Sequence, residues 1–173
     1  PVQQRAFRTY ASIVRELAMA DFRLKYHDSA LGYFWSMLNP LAMFIVYHFV
    51  FSYLFVVHVP KFTFYLLSGI VFWNFFADAT LSGMHALESK ASLAKKIYFP
   101  RALVLIASTL TALFSFVINT LILWAVVIFF DHAALSQVFI LFPFFLCVIL
   151  TMGATFILGT LYIHFRDTMQ IWS

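Results

Sequence analysis

Two ionisable residues stand inside apolar stretches of this chain: His48 and Asp78. A charge in a bilayer is expensive, so such residues face protein or water. Asp78 has three readings: a structural pair with His48 or with another helix, a wall residue of a polar path, or a member of a proton relay. One acid and one imidazole do not make a relay chain, so the last is the weakest. A second chemical feature is the basic run Glu88-Ser-Lys-Ala-Ser-Leu-Ala-Lys-Lys-Ile-Tyr-Phe-Pro-Arg101. It reads as a partner contact, or as a plain basic loop with Tyr98 and Phe99 as interface anchors. No GxxxxGK[ST] phosphate loop, HExxH pair or nucleophile elbow occurs. The nearest string, Gly83 to Lys90, has the wrong spacing. Six His residues lack metal-ligand spacing, and the lone Cys147 reads as packing. The sequence therefore predicts no enzyme, no metal and no cofactor of its own.

The elements that must carry these residues are membrane helices. Of 173 residues, 64% are hydrophobic and 10% charged, with 23 Phe. A soluble domain carries about 25% charged residues. About 20 apolar residues span the hydrocarbon core as a helix. Four stretches qualify, at about Pro40–Val59, Phe62–Leu87, Ala102–Phe130 and Val138–Ile163. They do not alternate as barrel strands do. The expected fold class is all-α, polytopic, with one transmembrane domain over 1–173. Asn39-Pro40 is expected to open the first span and Pro100 the third. Pro143 should free the carbonyl of Phe139 and kink the fourth.

Residues 1–36 form a polar, basic entry segment with no cleavable signal peptide. Phe7, Tyr10, Val14, Leu17 and Ala18 recur at helical spacing, which predicts an amphipathic helix lying at the membrane surface. The alternative is a helix packed on protein. Ten of the eleven basic residues fall in segments separated by an even number of crossings; only Lys61 falls on the other side. The excess of Lys and Arg predicts a cytosolic N-terminus in a cytoplasmic membrane. The net charge of +4 needs no nucleic acid. Stripes of small residues (Ala107, Thr111, Ser115, Asn119; Thr151, Thr155, Gly159) predict close helix contacts hydrogen-bonded across the interface, with a polar path as the alternative.

Four ordered motifs resemble the permease subunit of ABC exporters of lipid-linked polysaccharide, of O-antigen, teichoic acid or capsule type. They are Asp21-Phe-Arg-Leu-Lys-Tyr26 with Ser29-Ala-Leu-Gly32, Trp35 and Asn39-Pro40; Phe72-Trp-Asn-Phe-Phe76; Lys95-Lys-Ile-Tyr-Phe-Pro-Arg101; and Phe165-Arg-Asp167. The resemblance implies six spans, of which this chain would cover four. It implies a homodimer with two separate subunits that bind ATP and Mg. It makes Glu88–Arg101 a coupling helix, with Lys90, Lys95, Lys96, Tyr98, Phe99, Pro100 and Arg101 as ATPase-coupling residues. Arg166 and Asp167 would form a second contact. Asp21, Lys25, Tyr26, Ser29 and Gly32 would belong to the interface segment. Relatives often carry Glu or a small polar residue where Asp78 stands. Tyr33, Trp35, Phe72, Trp73, Phe75, Phe76 and Asp78 are then conduit candidates, since sugar rings stack on aromatic faces; lipid packing is the competing reading. An ABC permease for a drug or small lipid is the near rival. A passive channel or a membrane-embedded transferase is the distant one.

Overall fold

The computed structural model describes residues 2–26, 32–54, 62–90, 100–131 and 141–172. All regular structure among them is helical. That follows from the apolar runs, because a backbone in lipid must satisfy its own N–H and C=O groups. The elements are α1 (Val2–Tyr26), α2 (Gly32–Phe49) with a π-helical turn (Val50–Leu54), α3 (Phe62–Ser89), α4 (Arg101–Asp131), α5 (Leu141–His164) and α6 (Thr168–Trp172). Among the described residues, three helices are long and apolar enough to cross a membrane: Phe64–Ser89, Arg101–Ala125 and Leu141–His164. The chain is a multi-pass helical membrane protein. The far end of the first expected span, residues 55–59, lies outside the described residues, as does Phe139.

One boundary differs from expectation. Asn39-Pro40 does not open a helix; α2 begins at Gly32 and runs through both residues. A proline inside a membrane helix is tolerated when neighbouring groups satisfy the carbonyl it frees. Pro100 behaves as expected. It immediately precedes α4, and its carbonyl accepts from the Leu103 amide at 3.0 Å.

The core lies where α3, α4 and α5 meet. Phe116 of α4 is sandwiched between two parallel rings. Phe75 of α3 stacks on one face at 4.2 Å and Phe144 of α5 on the other at 4.8 Å, with interplanar angles of 10° and 2°. Phe72 meets the same ring edge-on at 5.3 Å. Val71, Ala79 and Ala112 close the cluster.

Toward the end carrying Lys90, Arg101 and Arg166, called here the basic end, small residues replace rings. A Cβ on Gly83 would stand 2.6 Å from Cγ2 of Thr155, and one on Gly159 would stand 2.9 Å from Leu105. The close contacts predicted from the small-residue stripe are present. Their hydroxyls act differently from expectation on α5. Thr155 donates to the Thr151 carbonyl at 2.8 Å, within its own helix. On α4 one hydroxyl does reach across: Thr111 donates to Ala18 O at 3.2 Å as well as to Ala107 O.

That bond shows where α1 sits. Rather than lying apart on a surface, α1 runs beside the first half of α4. Val14 is buried, and Phe22 packs edge-to-face on Phe114 at 4.9 Å. Within the apolar stripe read from sequence, Val14 is buried, Leu17 and Ala18 are half-buried and Tyr10 is exposed. At the other extreme, α5 ends at His164, the chain turns at Phe165–Asp167, and α6 folds back onto α3. Trp172 donates its indole N–H to Thr80 Oγ1 at 2.9 Å.

Candidate functional site

Among the described residues two ion pairs join α1 to α3, one at the basic end and one deeper along α3. Lys90, one residue past α3, donates to both oxygens of Asp21 at 2.7 and 2.6 Å. One turn further along α1, Lys25 donates to Asp78 at 2.6 Å, and Ser82 adds a bond of 3.3 Å to the other carboxylate oxygen. The outer pair is the more buried one: its side chains are 14% and 19% exposed, against 34% and 37% for Lys25 and Asp78. Asp21 and Lys25 are four residues apart, about 6 Å on a helix, whereas Lys90 and Asp78 are separated by about 18 Å. The long lysine side chains close that difference. Together the pairs fasten the C-terminal half of α1 to α3 at two depths.

Between the pairs lies a cavity of about 630 Å³ bounded by α1, α3 and α4, with His85, Glu88 and Ser108 in its walls. On the α5 side, the Tyr162 phenol faces the Glu88 carboxylate, with Arg166 nearby. No cluster of three or more His, Cys, Asp or Glu stands together among the described residues. Charge-assisted hydrogen bonds are the stronger kind, and here they join separate helices.

Several sequence expectations change. Asp78 does not pair with His48. Its partner is Lys25, while His48 stacks on Phe44 at 5.4 Å and its Nδ1 is buried without a partner among the described residues. Of the two structural pairs expected for Asp78, the one with another helix is therefore present, and that helix is α1. Lys90, expected in the partner contact, is held within the chain by Asp21. Phe75 is 3% exposed and belongs to the core, so it lines no surface, and Phe72 is committed to Phe116. Trp73 is 63% exposed. Phe76 lies between Trp73 at 6.0 Å and Trp172 at 5.9 Å.

Arg101, Arg166 and Asp167 are exposed at the basic end. Asp167 uses its carbonyl to accept from Gln170 and Ile171. Lys95, Lys96, Tyr98, Phe99 and Ser29 lie outside the described residues, as do the side chains of Tyr26, Tyr33 and Trp35. Sequence reasoning passed over Trp172 and Tyr65. Tyr65, Gly69 and Trp73 recur every four residues on one exposed face of α3, a signal that was readable; the return of α6 onto α3 was not.

Residues 13–173 match the ABC-2 type transporter family. The chain belongs to that family. Its similarity to individual members is moderate. It is 30% identical to an O-antigen export system permease protein RfbA of Klebsiella pneumoniae over 152 residues, covering 85% of this chain and 58% of that protein. It is 26% identical to the protein of the same name from Myxococcus xanthus over 166 residues, covering 95% and 64%. The chain thus spans about three-fifths of the length of these relatives. Both ion pairs of this ABC-2 chain fall within the matched region.

Proposed function

We infer that this chain is the membrane-spanning conduit part of an ATP-driven exporter of lipid-linked polysaccharide. The observation that carries the reading is the family match over 13–173, joined to similarity with O-antigen export permeases over 85% or more of the chain. The basic end faces the cytosol of a cytoplasmic membrane, in keeping with the distribution of Lys and Arg. Two copies form the conduit, and two partner subunits bind ATP and Mg.

The structure supports a division of labour within the coupling segment. Lys95, Lys96, Tyr98 and Phe99 meet the ATPase, and exposed Arg101, Arg166 and Asp167 flank that contact. Lys90 is instead the root of the segment. Force on residues 91–99 passes through Lys90 to Asp21, so that α1 moves with α3. ATP binding then biases the bundle between two packings. Asp78 serves as the second anchor of α1. Trp73 and Phe76 are the conduit candidates that remain on an accessible face of α3.

The test uses the full-length protein with its ATPase in a strain lacking the resident permease. Restored surface polysaccharide, lost when the ATPase is inactivated, supports the reading. Export that continues without the chain, or glycosyl transfer by the purified chain alone, refutes it.

A further inference from the structure

The side of α1 that meets α4 does not close completely. An open cavity of about 760 Å³ runs between the two helices, from Tyr10 and Leu103 at one extreme to Phe22 and Phe114 at the other. That volume lies in the range of roughly 300–1,000 Å³ typical of small-molecule sites. Its walls are almost wholly aliphatic and aromatic. Twelve helical steps along α1 and eleven along α4 mark its length, about 18 and 17 Å. One leaflet is about 15 Å deep, half of a hydrocarbon core of about 30 Å. The groove therefore has the length of a lipid chain in a single leaflet. It lies along a membrane-spanning helix, where acyl chains are the surrounding medium.

One charged residue lines it. Arg15 is exposed and makes no ion pair among the described residues. Its stem can follow the groove wall while the guanidinium reaches the headgroup layer. A guanidinium matches a phosphate in charge and geometry.

We propose that the α1–α4 groove is a binding site for one anionic phospholipid of the bilayer. One acyl chain lies between Val14, Phe22 and Phe114, and Arg15 holds the phosphate. The leaflet rests on the topology inferred above: the basic end faces the cytosolic leaflet, which carries the anionic lipid. The bound lipid acts as filler that keeps α1 seated on α4.

The full-length protein, purified with its ATPase, is exchanged into detergent containing phosphatidylglycerol or phosphatidylcholine with the same chains. Retained lipid is counted by native mass spectrometry. One phosphatidylglycerol per chain is expected, preferred over phosphatidylcholine by about fivefold. Arg15→Gln should bring that preference to parity and Arg15→Lys should keep most of it. Neither change touches the packing. Ala11→Phe, which fills the groove from its exposed side, should release lipid of both kinds. Equal retention of the two lipids by the parent protein overturns the proposal. So does unchanged preference in Arg15→Gln, or displacement of the lipid by a polyisoprenyl phosphate at equal concentration. The readout involves no transport, so its failure is separate from failure of the export reading.

Discussion

Lys90 reaches back 69 positions along the chain to hold both oxygens of Asp21. The contact joins the root of the basic 91–99 segment to α1. A carboxylate left alone in a largely buried place loses its compensation. Lys90→Ala should therefore lower stability by about 2 kcal/mol, read as a fall in apparent Tm of the purified protein. The reversed pair, Asp21→Lys with Lys90→Asp, should recover most of the loss. No recovery would show that the geometry, rather than the charge pairing, is what matters.

The Lys25–Asp78 pair is more exposed and should be worth less, about 1 kcal/mol in a double-variant cycle. Asp78→Asn should impair export without lowering expression. Combining it with Lys25→Met should restore part of the export, because no unpaired lysine remains. Export that stays absent in the double variant would assign the carboxylate a direct role in the conduit.

Gly83→Ala should destabilise the bundle by about 1–3 kcal/mol. The new methyl would meet Cγ2 of Thr155, whose rotamer is tied by its bond to Thr151 O. Thr155→Ser removes that methyl and should rescue most of the effect. Gly69→Ala and Gly153→Ala, which meet nothing within 4 Å, are the controls and should be neutral or mildly stabilising by helix propensity.

Charge reversal at both Lys95 and Lys96 should leave the protein in the membrane but uncouple ATP hydrolysis from export. Measuring both rates in reconstituted vesicles separates loss of coupling from loss of assembly. Wild-type coupling in that variant would remove the contact.

Trp73 and Phe75, two positions apart, should respond differently. Trp73→Ala should reduce glycan export while leaving apparent Tm nearly unchanged. Phe75→Ala should cost about 3–5 kcal/mol through cavity formation in the core. Equal loss of stability for both would place Trp73 in a buried contact.

The second, third and fourth expected spans coincide with long apolar helices, because length and hydropathy fix where a helix can cross a membrane; the first, at about Pro40–Val59, is not among them. The stripe at Thr151, Thr155 and Gly159 was legible for a similar reason: small side chains at four-residue spacing have few uses besides close packing. Asp78 and Lys90 were harder. Each was correctly marked as chemically unusual, yet its partner lies on α1, 53 and 69 residues away. Depth counting across a hairpin cannot reveal a third helix. The aromatics of α3 divided for the same reason. Phe72, Trp73, Phe75 and Phe76 form one motif, but a helix turns about 100° per residue, so neighbours in sequence point to different surroundings. Which face meets α4 depends on α4.

The sandwich of Phe75, Phe116 and Phe144 has a mechanical meaning. Flat parallel rings glide over one another while keeping their area in contact, so this joint permits shear and opposes separation. At the basic end the space beside Gly83 is too small for even a methyl group, because Thr155 stands against it. Under the coupling proposed above, that close-packed end is the fulcrum and the ring sandwich is the bearing on which the helices shear.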